Sequence, residues 1–371
     1  MFDLKEIIEL MKNDPRVENK EDDVAFNKFF NDLSHKANEM GVLSKCALCG
    51  ENISGKANSH SVPQSILKNI NTDGHYCQIT CAVGEGLIFG PLGRINRTGL
   101  NNTGTFHLLC KECENKTFHN YENPSLLNAI ADNRIDLLTD EILAEMMLKS
   151  ALREKYKKEF SKNLTILNNE IADKNNCAWN TSTLSDELNI QEYDSYINKC
   201  VDIINNNKVD QFNIFYFDIL DHSSDFACQT LIAIQKTVTN ELINDVYNYD
   251  PNYHIVMSHF IVFPLKDKTI CLGYCLKEEE TRLRPFVNYA NGLNQASKRK
   301  LFQSTLFLHS EEVYTNEAMI EELMKDEITS SFIHSGVENG WTTESNLKKN
   351  KLLIKPNLIA PNNFRKAKFF L

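Results

Sequence analysis

Two Cys-x2-Cys pairs, Cys46-Ala-Leu-Cys49 and Cys110-Lys-Glu-Cys113, stand 60 residues apart in a chain of 371. Each pair alone is a weak signal. Together they supply four soft thiolates that can meet at one tetrahedral point, the usual closed structural zinc site. Such a point draws two distant segments together and limits what can lie between them. The chain has 11 cysteines, an odd number, and opens Met1-Phe-Asp-Leu-Lys-Glu with no secretory leader. This does not read as a disulfide framework. A reducing, cytoplasmic setting is expected, where paired cysteines are metal ligands more often than cross-links. No apolar run approaches the ~18–20 residues that a bilayer span needs, so no membrane partner is expected. The net charge of −10 excludes a protein that coats nucleic acid by bulk charge, but not a local basic site.

Between the pairs lies Ser59-His60-Ser-Val-Pro63. Residues 56–61 read as a short strand ending at His60, and Pro63 opens a short helix over 64–70. Residues 71–104 form a long insertion with seven glycines. Its Cys77 and Cys81, with His75 nearby, lack an evident fourth ligand, and the two cysteines read as buried or free thiols rather than a second metal site. Arg94 and Arg97 are loop charges or a phosphate grip. Thr105–Leu109 reads as a strand delivering Cys110, and a helix is expected from Cys113 to about Tyr121. On that helix Asn115 and His119, four residues apart, share one face.

Three features resemble the HNH nuclease superfamily: His60-Ser-Val-Pro63 as its His-x2-Pro, Phe106-His-Leu-Leu-Cys-Lys-Glu-Cys113 as its strand and knuckle, and Asn115-x3-His119 as its helix motif. The resemblance covers about a fifth of the chain. It implies a β-hairpin and helix around a metal, built on a treble-clef zinc site. Cys46, Cys49, Cys110 and Cys113 would hold structural zinc. His60 would be the general base, and Asn115 and His119 would hold Mg2+ or another catalytic divalent cation. A neutral imidazole suits water activation near pH 7, and a divalent cation stabilises the developing phosphate charge. The sequence departs from the motif in three places. Ser59 stands where the family has a ligating Asp or His. Thr105, with His107 beside it on the same strand face, stands where the family has an Asn that orients the base. Glu114 stands where the helix motif normally begins, and Glu114 or Glu122 is a candidate replacement ligand.

The fold class expected is α+β, with four regions. Residues 1–40 form an N-terminal helical segment, with helices over 2–12 and 22–40. Residues 41–123 are the zinc-binding HNH-like domain, and Asn123-Pro124 breaks the chain. Residues 124–344 form a larger α+β partner or sensing domain. Thr139-Asp140 caps a long helix with Ile142, Leu143, Met146, Met147, Ala151 and Leu152 as its buried stripe. The Asn-rich stretch 163–182 reads as loop or frayed helix, and 184–206 as helix. Strands are expected at 212–219, 231–238, 254–265 and 269–276, then helices near 297–309 and 315–333. His222, His254, His259, His309 and His334 have no ligand spacing and read as structural. Residues 345–371 carry seven basic and no acidic residues, interleaved with phenylalanines. This basic tail suits a nucleic-acid backbone or the chain's own acidic body.

The function expected is metal-dependent hydrolysis of phosphodiester bonds in DNA, with RNA second. The partner domain would select substrate, sense a signal, or contact another copy or another protein. By fold-level analogy, a nuclease joined to a sensing domain suggests a bacterial defence effector. The alternative is a catalytically inactive zinc-finger module that binds nucleic acid, or a protein-interaction factor.

Overall fold

The computed structural model describes residues 32–41, 45–53, 55–70, 73–78, 97–174, 182–237 and 239–319. The expected helix at 2–12, Cys81, Arg94, Cys177, His334, the basic tail and most of the expected helix at 315–333 lie outside them.

Nine strands and eight α-helices follow one another along the described chain. Helix α1 covers residues 32–41. Strand β1 is Ser59–His60, α2 is Gln64–Leu67, β2 is His75–Gln78, β3 is Arg97–Gly99 and β4 is Thr105–Phe106. Helices α3 (Lys111–Thr117), α4 (Pro124–Ala131), α5 (Asp140–Lys174) and α6 (Leu184–Asn205) come next. Strands β5 (Phe212–Leu220), β6 (Phe226–Ile232), β7 (Ser258–Pro264) and β8 (Thr269–Leu276) precede α7 (Glu280–Asn291), α8 (Gln295–His309) and β9 (Val313–Thr315). The α+β class is as expected. No helix among the described residues is long and apolar enough to cross a membrane.

A seven-stranded antiparallel sheet, in the order β3-β2-β9-β6-β7-β8-β5, forms the middle layer. Its two faces carry separate apolar cores. Ile261 and Phe263 of β7 and Ile270, Leu272 and Tyr274 of β8 point to one face, where α4, α5, α6 and the cysteine segment pack. Phe260, Val262, Cys271 and Cys275 point to the other, against Leu283 and Phe286 of α7 and Phe302 and Leu306 of α8. Strand alternation delivers this division residue by residue. In β5 the parity changes: Phe212 and Ile214 face the first core, then Phe217 and Ile219 do. A bulge between Ile214 and Tyr216 accounts for the shift. The displaced Phe215 side chain lies over Gly273, where an added Cβ would come within 2.6 Å of it.

The sheet runs across residue 123. Strands β2 and β3, from the insertion between the cysteine pairs, join the same sheet as β5–β8 through β9. One core cluster runs from Cys46 through Tyr121 to Tyr314. Residues 41–123 are therefore not a separate core. Several element bounds are corrected. The strands expected at 231–238 and 254–265 are 226–232 and 258–264. Both are buried on two faces, so no apolar–polar alternation marks their ends. The stretch expected to fray from 163 stays helical to Lys174. It packs there on α1, with Leu164 against Leu33 and Ala37. Asn123-Pro124 starts a helix as well as ending a segment: the Asn123 side chain accepts the Ser125 N–H at 2.9 Å, and proline takes the first turn.

The turn that leads into β4, opposite His60, is made at Gly104, whose φ is +61°. A Cβ there would strike the Tyr314 hydroxyl and lie 2.6 Å from Ser61 Oγ. Both the left-handed backbone and the close approach demand glycine. Gly104→Ala should lower the unfolding free energy by about 1–3 kcal/mol, read by urea denaturation.

Candidate metal centre and its neighbour

The first knuckle is a tight turn. The Gly50 N–H donates to the Cys46 carbonyl at 2.9 Å and the Cys46 N–H to the Glu51 carbonyl at 2.8 Å. Gly50 holds φ +73°, the left-handed conformation that glycine adopts without strain. The second knuckle is the start of α3. Cys110 is the N-cap, and its sulfur accepts the Cys113 N–H at 3.4 Å. The Cys110 N–H in turn donates to Cys46 Sγ at 3.4 Å, so backbone amides of the second knuckle face sulfurs of both.

The four expected cysteines do come together. Their Sγ atoms all lie within 4.8 Å of one another, with Cys49 and Cys110 at 4.0 Å. A tetrahedral ion with metal–sulfur bonds of about 2.3 Å needs sulfurs about 3.8 Å apart, so the cluster fits one ion such as zinc. Burial raises the Cys46 thiol pKa, but the N–H groups of Cys49, Cys110 and Leu48 outweigh it and bring it down to about 7. Burial and the neighbouring thiols push Cys113 up. An arriving cation displaces these protons, which couples metal affinity to pH. Among the described residues this is the single group of three or more His, Cys, Asp or Glu side chains whose ligand atoms converge closely enough to hold one ion. Cys77 lies in the second core, as a buried thiol was expected to.

Strand β1 pairs antiparallel with β4, His60 opposite Thr105 and Ser59 opposite Phe106. Its two residues face different surroundings, as strand alternation requires. Ser59 Oγ donates to Glu114 Oε2 at 2.6 Å. The other Glu114 oxygen accepts from the Lys149 ammonium, which also reaches Glu122 at 3.0 Å and lies over the Phe118 ring, 4.0 Å from its centroid. Lys149, from the middle of α5, is 0% exposed. Glu114 and Glu122, the two candidate replacement ligands, thus converge beside Ser59, and the cation between them belongs to a lysine.

His60 is 7% exposed, with Nδ1 3.2 Å from the Asn58 carbonyl and Nε2 3.0 Å from the Leu100 carbonyl. Gln64 Nε2 closes on the same Nε2 at 3.1 Å. Burial lowers the imidazole pKa, so the ring is neutral at pH 7 and has one proton for two carbonyls. Either tautomer leaves Nε2 enclosed by Leu100 and Gln64. The expected orienting residues do not reach it. Thr105 Oγ1 points to the Asn102 carbonyl at 3.5 Å, and His107 Nδ1 is 3.2 Å from the Ala57 carbonyl.

Helix α3 ends at Thr117 with Phe118 as its cap, four residues short of the expected end. Asn115 lies on the helix and His119 in the turn after it, both exposed. The shared helix face expected for the pair therefore does not form.

The residues that sequence reading missed are on α5. Glu145, Lys149 and Arg153 follow at four-residue steps. Glu145 accepts the Tyr121 N–H at 3.0 Å and the Asn120 side chain at 2.8 Å. Its burial pushes its carboxyl up to about 7. Arg153 donates to the Thr105 carbonyl at 2.7 Å and to Glu312 at 3.1 Å. The signal was present as three charged residues at helical spacing beside an apolar stripe.

Comparison with known protein families, curated proteins and solved structures finds no match to this chain.

Cys110→Ser should reduce bound metal from about one ion per chain to near zero and lower the melting temperature, read by elemental analysis and calorimetry. Lys149→Met leaves two carboxylates facing each other without a cation. Because both are partly exposed, the loss should be about 2–4 kcal/mol by urea denaturation, with Glu114→Gln in the same chain restoring part of it.

Proposed function

We propose that residues 45–123 are a zinc-stapled module of the HNH kind that binds nucleic acid without cleaving it, because the Lys149 ammonium stands in for the catalytic cation. One observation carries this reading. Ser59 and Glu114 occupy the two positions where the resemblance puts metal ligands, and they are hydrogen-bonded to each other beside the buried ammonium. A divalent ion there would meet a fixed positive charge. The enclosure of His60 Nε2 by Leu100 and Gln64 points the same way, since a general base needs a free nitrogen beside its water.

Zinc is the ion proposed for the cysteine cluster. Four thiolates at tetrahedral spacing favour a soft or borderline ion over calcium or magnesium, which take oxygen ligands. Nucleic acid is the partner proposed because residues 45–123 hold seven basic and six acidic groups while the whole chain is at −10. Lys45, Lys56, Lys111 and Lys116 are exposed on or beside the two knuckles. Lys56 bridges to Cys110 along the backbone, next to Lys111. Exposed lysines of this kind bind phosphates without reading sequence.

The second reading is a metal-dependent DNA endonuclease with His60 as base and Asn115 and His119 at its site. The neutral His60 ring and the gathering of Ser59, Glu114 and Glu122 oxygens favour it. There, an incoming divalent cation displaces the Lys149 ammonium from the carboxylates.

Gel shift and plasmid nicking, each run with Mg2+, Mn2+ or Ni2+, separate the two. The first reading expects DNA binding that weakens by about 10–100-fold between 50 and 200 mM salt, with no nicking and no effect of His60→Ala. Nicking that His60→Ala abolishes while zinc content is retained would establish the second reading and overturn the first. Absence of any nucleic-acid binding overturns both.

A further inference from the structure

A cavity of about 220 Å³ opens between α6 and the loop that runs through residues 246–255. No residue of the cysteine segment lines it, and neither lysine nor arginine does. Its charged lining residues are Glu192, Asp250 and His254, and Tyr249 and Tyr253 supply aromatic surface.

The inner wall is a hydrogen-bonded chain of acids and one imidazole. His254 Nδ1 is ion-paired with Glu192, and His254 Nε2 lies 2.8 Å from Glu279 Oε1. Glu279 also accepts the Tyr196 hydroxyl at 2.5 Å, and the His254 ring stacks on the Tyr196 ring with centroids 5.9 Å apart. Glu192 Oε2 accepts the Ile255 N–H at 3.1 Å. Glu279 Oε2 is buried with no hydrogen-bond partner. Hydrogen bonds from Glu192 and then Glu279 raise the His254 pKa to about 9, so the ring is charged at pH 7. Two further cations nearby are committed elsewhere: Lys199 pairs with Glu278 at 2.6 Å, and Arg282 is held by the loop. It donates to the His254 carbonyl at 2.6 Å, the Ile243 carbonyl at 2.9 Å and the Tyr253 hydroxyl at 2.7 Å. At the rim, Asp250 Oδ1 accepts the Asn252 backbone and side-chain N–H groups at 2.9 and 3.1 Å. Among the lining side chains two carboxylates, Glu192 and Asp250, stand against one charged ring, His254.

We propose that this cavity binds a small organic cation, an alkylammonium or guanidinium group, with its charge at Glu192 and Asp250 and its carbon skeleton on Tyr249 and Tyr253. A concave site with aromatic surface and fixed acids selects for such ligands, and the Tyr249 ring adds cation–π attraction, the Tyr253 ring already carrying the Arg282 guanidinium 5.1 Å from its centroid. The volume limits the ligand to a few heavy atoms beyond the charged group. The reading is independent of the nucleic-acid proposal, because it shares no residue with residues 45–123.

The test is a heteronuclear NMR titration of the zinc-loaded full chain with n-butylammonium, agmatine and blocked lysine amide, with n-butanol and acetate as neutral and anionic controls. The expected result is saturable shifts in residues 185–195 and 246–255 for the amines or guanidine at about 10 mM or below, and none for the controls. Binding of the free amines but not the blocked lysine amide identifies a free small molecule. Binding of all three identifies the charged group alone as the determinant. Glu192→Gln keeps an acceptor for the Ile255 N–H and should weaken binding about tenfold. Ser195→Leu, which narrows the cavity without touching an acid, should weaken binding to a similar degree. Circular dichroism melts of each variant confirm that it is folded. Equal binding of butanol and butylammonium, no binding by any cation, or wild-type affinity in both variants would overturn the assignment.

Discussion

A buried ion pair across two parts of the chain holds the cysteine segment in place. Lys149 is sealed from solvent between Glu114 and Glu122, and it is the middle of three grips from one helix. Four residues advance an α-helix by about 6 Å and return to nearly the same face, so Glu145, Lys149 and Arg153 form a ladder. Each rung meets a different piece of the segment: the turn after α3, the carboxylates of and beyond α3, and the hairpin strand β4. Burying charge is expensive, and a ladder of this kind is tolerable because each group finds several partners. Its return is orientation. Apolar packing alone would let a segment with so little secondary structure slide on α5, whereas three polar contacts at fixed spacing fix its register.

The metal cluster and this ladder meet in α3. Cys110 caps the helix and Cys113 lies in its first turn, so an ion there would set where the helix begins and how it is turned. Glu114 is the next residue along. The position of one carboxylate is thus governed at one end by the sulfur cluster and at the other by Lys149. A seven-residue helix is too short to be stable alone, and these two attachments supply what propensity cannot.

The cysteine cluster was legible because soft ligands at fixed spacing have few other uses. Strands 212–220 and 269–276, helix 184–205 and the start of α5 were legible from period and capping. The rest was lost for identifiable reasons. Helix α7 contains Pro285, which reads as a breaker. Strand β9 has three residues, too few for any period. Strands β2 and β3 sit in a glycine-rich stretch; β2 gains its place from pairing with β9, more than 200 residues away, and β3 from pairing with β2. Lys149 was invisible as a site residue because its meaning depends on which carboxylates face it. Histidine 60 was legible as a residue of interest, but its ring partners, Leu100 and Gln64, are set by the fold of the insertion.

The position of β9 in the sheet has a consequence for biosynthesis. It lies between β2 and β6, hydrogen-bonded to both, so it is the seam where the early and late halves of the sheet close. During translation β2 and β3 emerge long before residue 313 does. Until then their open side faces solvent, and β6 lacks a neighbour on that side. Between the completion of β8 at residue 276 and the emergence of β9 at residue 313 the sheet stands unsealed, a stage at which exposed backbone invites pairing with other nascent chains. Sealing by so short a strand at so late a point leaves the ribosome-bound chain with two open edges, at β2 and at β6.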